Sequence, residues 1–194
     1  MSDIEESWKK HMAPVIADGF ALNPTGYERL SNWTFVLWQL LFTKQALQQL
    51  IAAKPEQYDK SNFYQLYSQF NAMIVTYGRC FATAGSGIKS LDAKQIFRDR
   101  PDLKKHHARM MEIRNGVVAH TGNHELARAT IGVKEDATKI TVRHMLTPIM
   151  PHDEYQNFLE VVIYVELQAV ILVNKYIGHL ESKFQKTILV QDLT

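Results

Sequence analysis

Apolar residues recur at helical spacing at Leu30, Trp33, Leu37, Leu40, Leu41, Leu47 and Ile51, which predicts a long helix. Upstream, Asn23-Pro24-Thr25 and Glu28 supply start signals: Asn23 as a cap before Pro24, or a Thr25–Glu28 capping box. The stretch Trp33 to Phe42 is apolar on more than one face, as in a central helix or one shared with a partner chain. Lys54-Pro55 ends it. Ser61 is placed to cap a second helix, from Asn62 to about Ala84, with Phe63, Leu66, Tyr67, Phe70, Ile74, Tyr77 and Phe81 on one face. Gly85-Ser-Gly87 stops that helix, and Leu91 to Phe97 suits a short one.

Pro101 opens a third main helix, with Asp99 or Arg100 near its cap, carrying Leu103, Met110, Ile113 and Val117 and ending near His120 to Gly122. The period then changes to two. Ala129 to Val133 and Thr138 to Arg143 read as strands of a hairpin around Lys134 to Ala137. After Pro148 and Pro151, an apolar stretch from about Asp153 to Phe184 lacks Gly and Pro until Gly178, a length that favours helix over strand. The expected fold is therefore predominantly α: an up-and-down bundle of four main helices, with a small β-hairpin (about 127–144) inserted between the third and fourth. Residues 1–194 are read as one domain.

Composition agrees with an ordinary globular chain: 46% apolar, 22% charged, net charge +2. The lone cysteine, Cys80, has no disulfide partner within the chain and reads as a core residue. The acidic N-terminus does not resemble a signal peptide. Phe158 to Val173 is interrupted by Glu160, Glu166 and Gln168, so a buried helix is expected rather than a membrane span, and a cytoplasmic location follows as an expectation. Charge is unevenly placed. Arg98, Arg100, Lys104, Lys105, Arg109 and Arg114 face only Asp99, Asp102 and Glu112, leaving +3 within 17 residues. The plain alternative to a polyanion-binding patch is a solvated helix face.

Several motifs fail on inspection. Gly85 to Ser90 lacks the Gly-Lys-Ser/Thr order of a phosphate loop, because Ile88 intervenes. His124-Glu125 begins like a zinc-protease motif, but Arg128 stands where the second histidine belongs. His106, His107, His120 and His124 form a weaker candidate for a metal or small-molecule site. The segment Arg114-Asn115-Gly-Val-Val-Ala-His120 stands out instead. At about 100° per residue, Arg114 falls roughly 20° from Leu103, inside the apolar arc of the third helix, with His107 beside it. His120 lies about 120° from Arg114, so the two converge only through side-chain reach, unwinding at Gly116 or a second chain. The structural alternative is an arginine tied to a carboxylate on a neighbouring helix.

The run Glu-Ile-Arg114-Asn115-Gly-Val-Val-Ala-His120, in its helical setting, resembles the signature of the HEPN superfamily, most closely that of HEPN proteins in bacterial abortive-infection and defence systems. The resemblance implies a homodimer whose two motifs meet at one cleft, acting as a metal-independent endoribonuclease with no cofactor. Arg114 would hold the scissile phosphate, His120 would act as general acid or base, and Asn115 would orient one of them. Arg98, Arg100, Lys104, Lys105, His107 and Arg109 are the expected RNA-backbone contacts. A cognate antitoxin or defence partner belongs to the same expectation, and no membrane does. One toxin subgroup carries a Tyr two positions after the His; here Gly122 stands there, which places that regulation in doubt. A non-catalytic dimerisation, RNA-binding or nucleotide-binding module is the alternative.

Overall fold

In the computed structural model, residues 3–22, 24–53, 60–82, 90–118 and 125–190 are described. The fold is predominantly α-helical with a small antiparallel sheet. In chain order the elements are α1 (Asp3–Ala17), α2 (Glu28–Ala52), α3 (Lys60–Arg79), α4 (Ala93–Ile96), α5 (Pro101–Ile113), a π-helical turn (Arg114–Val118), β1 (Ala127–Glu135), β2 (Ile140–Pro148), a 3-10 turn (His152–Glu154) and α6 (Tyr155–Phe184).

The main helices form where periodicity placed them, and the core follows from their apolar faces. Val36, Leu40 and Leu47 of α2, Phe70, Ile74 and Tyr77 of α3, Met110 and Ile113 of α5, and Phe158, Val162 and Val165 of α6 are all buried in one cluster. α2 packs against α3 and α6, and α5 packs against α6 and α3. Lys44 of α2 and Glu166 of α6 form a half-buried ion pair at 2.6 Å. They are the only charged residues between positions 30 and 53 and between 161 and 174, respectively. The outward sides of these helices are correspondingly apolar: Phe35, Trp38, Phe42, Ile163, Leu167 and Ile171 are each about half exposed. By length and composition the helix spanning His152–Phe184 would suffice to cross a membrane. Its buried face, from Tyr155 to Ala169, belongs to the protein core.

Local boundaries depart from the sequence reading in instructive ways. α1 was not expected; it buries no residue, although Ile4, Trp8, Met12 and Val15 recur along it at helical spacing. α2 begins at Glu28 after Tyr27, without a side-chain cap. Thr25 forms no capping box; the Glu28 carboxylate instead accepts from the Gly26 amide at 3.0 Å. Asn23 and Lys54-Pro55 lie outside the described residues. Ser61 lies within α3 rather than capping it, and α3 ends at Arg79, short of Ala84. Pro101 does open α5, behind Arg100. The strands extend further than expected, pairing Ala127 with Pro148 through Glu135 with Ile140. The turn sits at Asp136 to Lys139, where the Asp136 carboxylate accepts from the Thr138 and Lys139 amides. Cys80 is buried and its thiol is pushed up to about 12 by burial, in keeping with a packing role.

Candidate functional site

α5 carries the candidate motif to the edge of the core. Leu103, His107, Met110 and Ile113 form its buried stripe, and Arg114 follows directly after. There the helix changes pitch: Arg114 to Val118 form a π-helical turn. Gly116 has little helix preference and Val117 and Val118 are β-branched, so the sequence weakens regular winding at this point. Single π turns inside helices are common at functional sites. Gly116, where local unwinding was one of three routes by which Arg114 and His120 could converge, lies in this turn.

Arg114 is half-buried, and its position is set by two contacts. Its aliphatic stem lies flat on the backbone of Gly78 in α3. A Cβ at residue 78 would collide with Arg114 Cδ and sit 2.6 Å from Nε. Its Nη1 donates to Asn115 Oδ1 at 3.1 Å. Among the described residues no carboxylate lies within ion-pair distance of Arg114, so the expected alternative, an arginine anchored to a neighbour's carboxylate, is not what forms. A guanidinium keeps its charge under all ordinary conditions. Here it is partly desolvated, held by a glycine slot and an amide, and has donors left over: the makings of an anion site. His120 and His124 lie outside the described residues, as do Gly85 to Lys89 of the rejected phosphate loop.

Gly78 is the residue that motif reading passed over. Its only signal was a glycine inside α3 at a position that costs helix stability, which points to a close approach by another group.

The chain matches no protein-family model, no curated protein and no solved structure.

The basic stretch divides in two. His107 is corrected from an RNA contact to a core residue. It is 7% exposed, shares a 2.7 Å hydrogen bond with the Tyr77 hydroxyl through Nδ1, and packs against Phe81 and Phe97. Burial, with a smaller contribution from Lys104, lowers its pKa to about 4, so it is neutral at pH 7. Arg109 is also committed to structure. It pairs with Glu154 at 3.1 Å, Glu112 at 3.0 Å and Glu125, joining α5 to the foot of the hairpin and to the turn before α6. Arg100 holds Asp102 at 2.6 Å, drawing that carboxyl down to about 2, and reaches Glu160 and the ring of Tyr164. Both arginines are neutralised by carboxylates and lose their case as phosphate contacts. Arg98, Lys104 and Lys105 remain exposed. Among the described residues no cluster of His, Cys, Asp and Glu is arranged to hold a metal, and His107 is occupied by Tyr77.

Proposed function

We propose that this chain is a HEPN-type domain, an up-and-down bundle of four main helices with a hairpin inserted before the last, that cleaves RNA without a metal. The carrying observation is Arg114: a half-buried guanidinium with no carboxylate partner among the described residues, seated on Gly78 and steadied by Asn115 at a π turn. Such a group selects an anion, and the motif it opens makes the anion a phosphate diester beside a histidine.

In this reading Arg114 binds the scissile phosphate and stabilises the charge that builds on it, Asn115 sets the guanidinium plane, and His120 moves the proton. The 2′-oxygen attacks the adjacent phosphorus, the P–O5′ bond breaks, and the 5′-oxygen leaves as a hydroxyl. A group titrating near neutral pH suits both proton transfers. Two copies would meet on the side of α3 and α5, bringing two Arg114–His120 segments to one cytoplasmic cleft. Arg98, Lys104 and Lys105 supply the adjoining backbone contacts, and a defence or antitoxin partner would control access.

The test is incubation of a mixed RNA pool with the protein in excess chelator, beside Arg114→Ala and His120→Ala. Cleavage by the wild type alone supports the reading. Equal cleavage by all three removes the catalytic assignment, and binding without cleavage by the wild type leaves the non-catalytic RNA-binding module in its place.

A further inference from the structure

The hairpin is an appendage. Among the described residues β1 and β2 pair only with each other, and the ribbon's substantial contacts are internal. It is tied to the protein at its foot, where Leu126 and Met150 are buried and Ile149 donates its amide to the Leu126 carbonyl at 2.8 Å. An isolated two-stranded ribbon contributes little to folding and is marginal in water. Its composition is therefore not explained by the core.

The two faces of the ribbon differ chemically. Alternation puts Arg128, Thr130 and Lys134 of β1 on one face. The pairings Arg128 with Thr147, Gly132 with Arg143 and Lys134 with Thr141 add three residues of β2 to it. Met145, opposite Thr130, completes that face, which holds three cations, three threonines, one methionine and no carboxylate, all seven of them exposed. Among the described residues none of the three cations is ion-paired, unlike Arg100 and Arg109. The opposite face carries Ile131, Val133, Ile140 and Val142, each at least half exposed, and the acidic residues Glu135 and Asp136 are confined to that face and the turn. Segregation along the whole ribbon, rather than an even mix of signs, separates this face from an ordinary solvated surface.

We infer that the Arg128–Lys134–Arg143 face is an RNA-backbone-binding arm, an inference that rests on the proposed ribonuclease reading and extends it to a second contact outside the motif. Arg128 and Lys134 are six residues apart, about 20 Å along an extended strand, with Arg143 between them. That length follows several phosphates of one strand. Three long cationic side chains neutralise phosphates, and the threonine hydroxyls donate to phosphate oxygens without reading sequence. The arm takes over the role first expected of Arg100, His107 and Arg109, which the structure uses elsewhere.

The experiment measures binding of single-stranded RNA over a range of salt. The probes are the wild type, the triple variant Arg128→Gln, Lys134→Gln, Arg143→Gln, the charge-retaining variant Arg128→Lys, Arg143→Lys, and the opposite-face variant Ile131→Thr, Val142→Thr. The triple variant should lose roughly tenfold or more in affinity near 0.1 M salt and flatten the slope of log K against log salt by about 2. The other two variants should bind like the wild type, and the triple variant should raise KM for cleavage while leaving kcat unchanged. A matching loss on single-stranded DNA fits the same backbone contact. Wild-type binding with a triple variant of equal affinity and slope overturns the arm and leaves the ribonuclease reading intact. Loss confined to vesicles containing anionic lipid also overturns it. A wild type that binds no RNA overturns the ribonuclease reading itself.

Discussion

Arg114 depends on what is missing from a neighbour. Gly78 has no side chain, and the space is filled by the stem of Arg114. Gly78→Ala forces a flexible side chain rather than backbone to move, so the fold should survive with a change of about 1 kcal/mol in unfolding free energy. RNA cleavage should nonetheless fall toward the level of Arg114→Ala. Urea unfolding beside a cleavage assay checks both; wild-type activity in Gly78→Ala would show that the slot does not position the guanidinium. His107 gives a second residue-level prediction. Its pKa is lowered from 6.5 to about 4, so below pH 6.5 the unfolded chain takes up a proton that the folded chain refuses. Stability should decline as pH falls from about 6.5 to about 4, by up to about 3 kcal/mol from this group, and level off below. His107→Gln should flatten that decline in thermal melts across the same interval. Neither role was legible in the sequence. His107 and Arg114 were rightly placed on the inward side of α5, but the Tyr77 hydroxyl and the bare backbone at Gly78 belong to a distant stretch of chain, and only folding brings them near.

At the scale of elements, apolar periodicity recovered the helices that bury a face and missed the one that does not. α2, α3, α5 and α6 carry their buried residues at helical spacing, whereas in α1 Ile4, Trp8, Met12 and Val15 recur at the same spacing but none is buried. The hairpin was visible as a change of period, but its length was understated, because the outer pairs Ala127–Pro148 and Glu135–Ile140 include residues that are weak strand signals. The basic stretch misled for a related reason. Arg109 has one partner close in sequence, Glu112, and two, Glu125 and Glu154, that lie across the fold. Arg109→Ala should therefore destabilise the protein by roughly 1–3 kcal/mol in urea unfolding, since it strips three carboxylates of their shared cation. RNA affinity of the folded variant should stay close to wild type, while Lys104→Ala with Lys105→Ala should weaken binding without loss of stability. A large affinity loss in folded Arg109→Ala would return that residue to the interface.

For the whole molecule, the question is how two copies meet. A composite cleft requires contact on the side of α3 and α5, where Arg114 lies. The exposed apolar rows of Phe35, Trp38 and Phe42 and of Ile163, Leu167 and Ile171 are on α2 and α6 rather than on α3 and α5. Under the composite-cleft proposal, Trp38→Glu with Leu167→Glu leaves a dimer mass in light scattering. Conversion to a monomer that still cleaves RNA would show that each Arg114 acts within its own chain. The chemistry itself is tested most directly by the ends it leaves. RNA cut by the wild type in excess chelator should carry 2′,3′-cyclic phosphate and 5′-hydroxyl termini, and His120→Ala should yield neither above background. Products with 5′-phosphate termini, or cyclic phosphate formed equally by His120→Ala, would contradict metal-independent transfer to the 2′-oxygen by the Arg114–His120 motif.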